Sequence, residues 1–174
     1  LIIPQKIYLI SNDKKINNKF FKQINPNDLL IFMNTAYFSD NKYLKNNKKL
    51  LFIRHNKNSF FGYKENFNNK YNKIYFVHNS KYNYNLPEKR KNEFHQLKNS
   101  KKFLKTNKII KNYPKNKVPT TGFVTYNYIK KKYPNSNIYL IGFYGQHKKY
   151  KGWDKHDFKY EQKYYRNNKV KKIN

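Results

Sequence analysis

The stretch Leu29-Leu30-Ile31-Phe32-Met33 decides the fold. It is an unbroken apolar run, set off by the break Pro26-Asn27-Asp28 on one side and by Asn34 on the other. Such a run reads as a buried strand. Upstream, Lys6-Ile7-Tyr8-Leu9-Ile10-Ser11 is a second one, closed by Asn12-Asp13. Downstream, Leu50-Leu51-Phe52-Ile53-Arg54 and Ile74-Tyr75-Phe76-Val77-His78 repeat the pattern, and Ile138-Tyr139-Leu140-Ile141-Gly142-Phe143 gives a fifth. None of them alternates apolar with polar, so neither face is left to water. That is the signature of parallel strands covered on both sides.

Between the runs the spacing turns helical. Ile16, Phe20 and Phe21 predict a modest helix over 14–23, and Phe94, Leu97, Phe103 and Leu104 predict one over 88–105. Phe123, Val124, Tyr126 and Ile129 predict a helix over 123–132, and 154–166 reads as a last one before a basic frayed tail over 166–174. Segments 41–49 and 79–85 read as surface loops. Strand and helix alternate throughout. The expected fold is therefore α/β, a single Rossmann-like domain over 1–174 with an open, mostly parallel sheet flanked by helices.

Composition bounds the function. Lys plus Arg number 39 against 9 Asp plus Glu, a formal charge of +30, while aromatics make up 19% of the chain. The aromatics separate it from a disordered polybasic tail. The charge suggests nucleic acid, but only three of the basic residues are Arg (Arg54, Arg90, Arg166) and 36 are Lys, with 29 Asn beside them. Lys, Asn, Ile, Tyr and Phe are what A- and T-rich codons write. Phosphate and base readers favour the Arg fork, so the skew argues against nucleic acid as the partner. There is no Cys, which excludes disulfides, thiolate metal sites and a Cys nucleophile. No apolar run reaches the roughly 18–20 residues of a membrane span. The start Leu1-Ile2-Ile3-Pro4 lacks a basic n-region and is not expected to be a signal peptide. No H-x-x-x-H, H-E-x-x-H or D-x-D spacing occurs, so no metal site is expected.

Ligands of open α/β sheets bind outside the carboxyl ends of the strands. Asn12, Asn34, Arg54, His78 and Gly142 fall at or just past such ends. Pro119-Thr120-Thr121-Gly122 precedes a helix, where hydroxyls and free N–H groups favour an anion; an ordinary helix cap has the same look. The third place is acidic: Asp154, Asp157 and Glu161 surround His156, with Trp153 just before. Carboxylates beside an imidazole would fix its tautomer and raise its basicity, as a general base requires. Acids at a helix start answer equally to the helix dipole. His147 is a second candidate, whereas His55, His78 and His95 read as incidental.

In order along the chain, these places resemble the sialyltransferase motifs. Ile10-Ser11-Asn12-Asp13 and Phe32-Met33-Asn34-Thr35-Ala36 resemble the V-G-N-S and R-x-N-x-A parts of the large motif. Pro119-Thr120-Thr121-Gly122, leading to Leu140-Ile141-Gly142-Phe143, resembles the small motif, P-S-T-G through to Y-G-F. His156-Asp157-Phe158-Lys159-Tyr160-Glu161 resembles the final H-x4-E. Ser11 stands for a Gly, Phe32 for a basic residue, and the paired cysteines of animal members are missing. The short third motif has no clear counterpart, and His147 is the residue that could fill its phosphate-contacting role. The resemblance implies a GT-A-like variant of the fold in a reduced, bacterial-type member. It implies inverting, metal-independent transfer of sialic acid or Kdo from a CMP-sugar, with no cofactor, to a glycan or a lipooligosaccharide or capsule acceptor. His156 would be the base and Glu161 its support; Asn12, Asn34, Thr120, Thr121, Gly122 and His147 would hold the donor. The expected setting is cytoplasmic, at or near the anionic inner face of the membrane, which the lysines would favour. A basic nucleic-acid-binding protein and an inactive transferase fold are the competing expectations.

Overall fold

All five unbroken runs become parallel strands. A computed structural model describes residues 3–13, 15–54, 70–78, 103–143 and 155–173. The strands read from sequence are β1 (Lys6–Ile10), β2 (Leu29–Met33), β3 (Lys48–Arg54), β4 (Lys73–His78) and β6 (Asn137–Ile141). Two short ones join them, β5 (Phe103–Lys105) and β7 (Lys171–Ile173). Among the described residues these seven form one sheet in the order β5-β4-β3-β2-β1-β6-β7, and every pair is parallel. The α-helices among the described residues are α1 (Thr106–Ile109), α2 (Thr121–Lys132) and α3 (Phe158–Asn167). The architecture is that of a Rossmann-like α/β domain.

Both faces of the sheet are buried, as the unbroken runs require. Ile7, Leu9, Ile31, Met33, Phe52 and Leu140 face the helix layer, where Phe123, Val124 and Ile129 of α2 and Tyr165 of α3 cover them. Tyr8, Ile10, Leu30, Phe32, Leu51 and Ile53 face the other way, onto Ile16, Phe21, Ile24 and Leu44. Burying a side chain of this size contributes about 1.5–3 kcal/mol. The second layer contains short 3-10 helices at Asn18–Gln23 and Lys42–Leu44, each capped by an Asn side chain. Of the helix expected over 14–23, a 3-10 helix is what forms. Asn17 caps it at the Lys19 N–H, and Phe21 alone is fully buried.

Two further expectations change. Of the helix expected over 88–105, the last three residues are β5, which pairs Phe103 with Phe76; 88–102 lies outside the described residues. Over 166–173 the expected tail is not frayed: α3 runs on to Asn167, and Lys171–Ile173 adds β7 to the edge of β6. The long lysine stems make this possible. Lys171 lies over the Tyr139 ring and Lys172 over the Tyr165 ring, each 5.6 Å from the centroid; Lys171 stays exposed, while the half-buried Lys172 ammonium donates to the Gln162 side chain. Among the described residues no helix is long and apolar enough to cross a membrane.

The strand order reverses at β1. Its neighbour β2 is reached through the 3-10 layer, and its other neighbour β6 through α2 on the opposite face. The carboxyl ends of β1 and β6 therefore flank a topological switch point, where open α/β sheets form their ligand crevice.

Candidate functional site

The switch point is stitched by short polar links. The Ser11 N–H donates to the Ile141 carbonyl at 3.0 Å, and the Ser11 hydroxyl to the Gly142 carbonyl at 2.8 Å. Gly142 has φ +74°, and a Cβ there would sit 2.5 Å from Ser11 Oγ and 2.8 Å from Ile16. Only glycine meets both demands.

Asn12 and Asn34, expected to contact a nucleotide, also tie strand ends together. Asn12 Oδ1 accepts from the Ala36 N–H at 3.1 Å, which joins the two halves of the motif read from sequence. Asn34 Oδ1 accepts from the Arg54 N–H at 3.0 Å. Asn34 and Ala36 both lie in the left-handed region, at φ 50° and 49°. For an alanine that costs about 1–2 kcal/mol. The turn is held by the Asn34 N–H on the Phe52 carbonyl and by the Ala36 N–H on Met33 and Asn12. Two of the four non-glycine residues with positive φ among the described residues thus lie at the carboxyl edge, where functional residues commonly store strain.

Residues Val118, Pro119 and Thr120 form a strap across this edge into α2. Thr120 is the N-cap of α2, its Oγ1 accepting from the Phe123 N–H at 3.0 Å. Its remaining donors point at Glu161. The Thr120 N–H meets Oε1 at 2.7 Å and its hydroxyl meets Oε2 at 2.8 Å, while the Tyr113 hydroxyl donates to Oε1 at 2.9 Å. Thr120 is therefore engaged by an internal carboxylate. The Thr121 and Gly122 N–H groups are the first-turn donors that have no intrahelical acceptor. A Cβ at Gly122 would lie 2.5 Å from the Phe143 ring and 3.5 Å from Met33 Sδ, so this glycine lets α2 sit close to the strand ends.

Glu161 is only 3% exposed. Burial pushes its carboxyl up to about 7, against the Thr120 and Tyr113 donors and the Arg54 charge, which pull it down.

His156 holds the other side of the strap. Its Nδ1 lies 2.6 Å from the Val118 carbonyl, and the Val118 N–H donates to the Lys155 carbonyl at 2.8 Å. A carbonyl only accepts, so Nδ1 carries the proton and the lone pair is on Nε2. This corrects one expectation: the partner that fixes the tautomer is a backbone carbonyl, not a carboxylate. Nor is basicity raised. Burial lowers the imidazole's pKa below its ordinary value and the Arg54 charge lowers it further, outweighing the Val118 bond. Asp157 serves as the N-cap of α3, accepting from the Tyr160 N–H at 2.8 Å.

His156, Glu161, Thr120, Asn34 and Asn12 thus belong to one linked edge. His147, Trp153, Asp154, His55 and His95 lie outside the described residues. His78 sits at the end of β4, its ring beside Phe103 and its carbonyl accepting from Thr106. Three members of the edge were given no role from sequence. Arg54 had a visible signal, as one of three Arg in a chain of lysines. Tyr113 and the Val118 carbonyl had none. Among the described residues no three His, Asp or Glu side chains are grouped to hold a metal ion. Comparison of the chain with protein-family models, curated proteins and solved structures gives no match.

Proposed function

We propose that the chain is a CMP-sugar-dependent glycosyltransferase. It would transfer sialic acid or Kdo with inversion to a glycan or lipid-linked hydroxyl. One observation carries the reading: His156 is held as the Nδ1–H tautomer by the Val118 carbonyl at 2.6 Å, beside the start of α2 and the switch point. An imidazole buried and biased toward its neutral form has the protonation state of a general base at neutral pH.

In the step proposed, Nε2 takes the proton of the acceptor hydroxyl as its oxygen bonds to the anomeric carbon. The bond from that carbon to the CMP phosphate oxygen breaks, and CMP leaves with the electron pair. The Thr121 and Gly122 N–H groups, at the positive end of α2, would stabilise the leaving phosphate. Thr120 and Glu161 would hold the helix start in place, and the amide groups of Asn12 and Asn34 would face the nucleotide. Charge that develops on sugar and phosphate together calls for fixed dipoles of this kind.

A thermal-shift panel tests the reading. CMP should raise the melting temperature while AMP and UMP do little. CMP release from CMP-sialic acid or CMP-Kdo, in the presence of acceptor glycans, should vanish in His156→Ala with the fold retained. A chain indifferent to CMP that binds RNA with a steep salt dependence would overturn it. Binding of CMP without turnover on any donor would leave a nucleotide-binding fold that is not an enzyme.

A further inference from the structure

Consecutive residues of α3 grip the two walls of the crevice. Glu161 takes the wall before α2, through Thr120. Gln162 takes the other, the segment that leaves β6: its Nε2 donates to the Phe143 carbonyl at 3.4 Å. Phe143 follows Gly142, whose φ of +74° turns the chain at the switch point. The Phe143 ring lies against the start of α2, where a Cβ on Gly122 would come within 2.5 Å of its Cε1 and 3.1 Å of its Cζ. Tyr165 of α3 backs that ring edge-on, with 6.3 Å between centroids.

A glutamine amide has nearly the same shape either way round, and only its hydrogen bonds decide which end meets a carbonyl. Here Lys172 decides. It stands in β7 in register with Leu140, its ammonium lies over the Tyr165 ring, and it donates to Gln162 Oε1. An ammonium only donates, so the amide oxygen faces it and the Nε2 group is left to donate to Phe143. Lys172 is half-buried and has no carboxylate partner among the described residues. Such an ammonium costs desolvation, and an apolar side chain in its place would cover Tyr165 as well. Orienting the amide is what the ammonium adds.

We propose that Gln162 is a positioning residue of this site: oriented by Lys172, it holds the Phe143 carbonyl and so sets the Phe143 ring against Gly122, beside the first-turn N–H groups of α2. The purpose of that wall, shaping the place of the leaving phosphate, rests on the transferase reading; the positioning itself does not. The last strand then serves the site as well as the sheet.

The Gly122 Hα resonance reports the wall directly, because ring current displaces protons this close to an aromatic ring. Gln162→Leu removes both bonds. Gln162→Glu keeps an acceptor for Lys172 and removes the donor for Phe143. Lys172→Met keeps a stem over Tyr165 and releases the amide. In all three the Gly122 Hα resonance should move toward the ordinary glycine range, and CMP should bind about five- to tenfold more weakly, the loss of roughly one hydrogen bond. Lys172→Arg, which keeps the donor, should match the wild type in both readouts. Gln162→Glu gains an ion pair with Lys172, so its urea midpoint should stay close to the wild type; it carries the test if Gln162→Leu does not fold. The proposal is overturned if Gln162→Glu or Lys172→Met leaves the Gly122 resonance in place. It is also overturned if the resonance moves while CMP binding keeps its wild-type strength, or if CMP binding weakens only in variants whose urea midpoint falls. If the resonance moves as expected but no form of the protein, wild type included, binds CMP, the positioning stands and the transferase reading falls.

Discussion

Glu161→Gln is the most informative single change at the strap. The carboxyl is buried, with a folded-state pKa of about 7 against 4.5 for the free side chain. The folded protein therefore holds this proton more tightly than the unfolded chain does. Stability contributed by the protonated form is full below pH 4.5 and is lost as pH rises through about 7. A shift of that size corresponds to about 3 kcal/mol. For a chain of this length it amounts to roughly 6–12 °C in melting temperature. Glutamine has the same shape and no proton to lose, so the titration disappears in the variant. The amide also cannot accept from the Thr120 hydroxyl as Oε2 does, which adds a pH-independent penalty of about 1 kcal/mol. Urea unfolding of both proteins from pH 4.5 to 8 isolates the effect, because every other titrating group is shared. The wild type should lose about 3 kcal/mol relative to the variant across that range. A difference that stays flat, or that favours the wild type as pH rises, would refute the reasoning. It would mean that the Thr120 and Tyr113 donors and Arg54 outweigh burial and hold the carboxylate ionised throughout.

Other consequences follow from the same edge. Gly142→Ala, forced to φ +74° with its Cβ against Ser11 and Ile16, should destabilise the fold by about 2 kcal/mol or more in denaturant titrations. Thr120→Ala removes the α2 cap and leaves the Glu161 carboxyl short of a donor, a loss of about 1–2 kcal/mol, accompanied by weaker CMP protection in the thermal-shift assay. Truncation after Val170 deletes β7 and should lower the melting temperature measurably; an unchanged value would show that the last strand contributes nothing.

The framework was legible because it rests on local signals. The runs that became β1, β2, β3, β4 and β6 are apolar on both faces, and that pattern needs no long-range knowledge. Phe103-Leu104-Lys105 was misread because three residues carry no period of their own, and their apolar pair also fits a helix. Lys171-Lys172-Ile173 was misread because an edge strand tolerates lysines whose stems lie on Tyr139 and Tyr165. At the site, Thr120 announced itself as a cap. What could not be read is the long-range pairing. Glu161 meets a threonine 41 residues earlier, and His156 meets a carbonyl 38 residues earlier. A backbone carbonyl leaves no mark in the sequence. The acidic cluster suggested an imidazole paired with carboxylates, yet Glu161 bonds Thr120 and Asp157 caps the start of α3.

The most direct test of the central claim, that the edge around the switch point is a CMP-sugar site served by His156, is a residue-resolved amide NMR titration with CMP. The amides of Asn12, Asn34, Thr121 and Gly122 and the ring of His156 should shift together and saturate at one affinity. Saturating CMP that leaves these signals unmoved, or that moves only lysine-rich surface distant from the carboxyl ends of the strands, would contradict it.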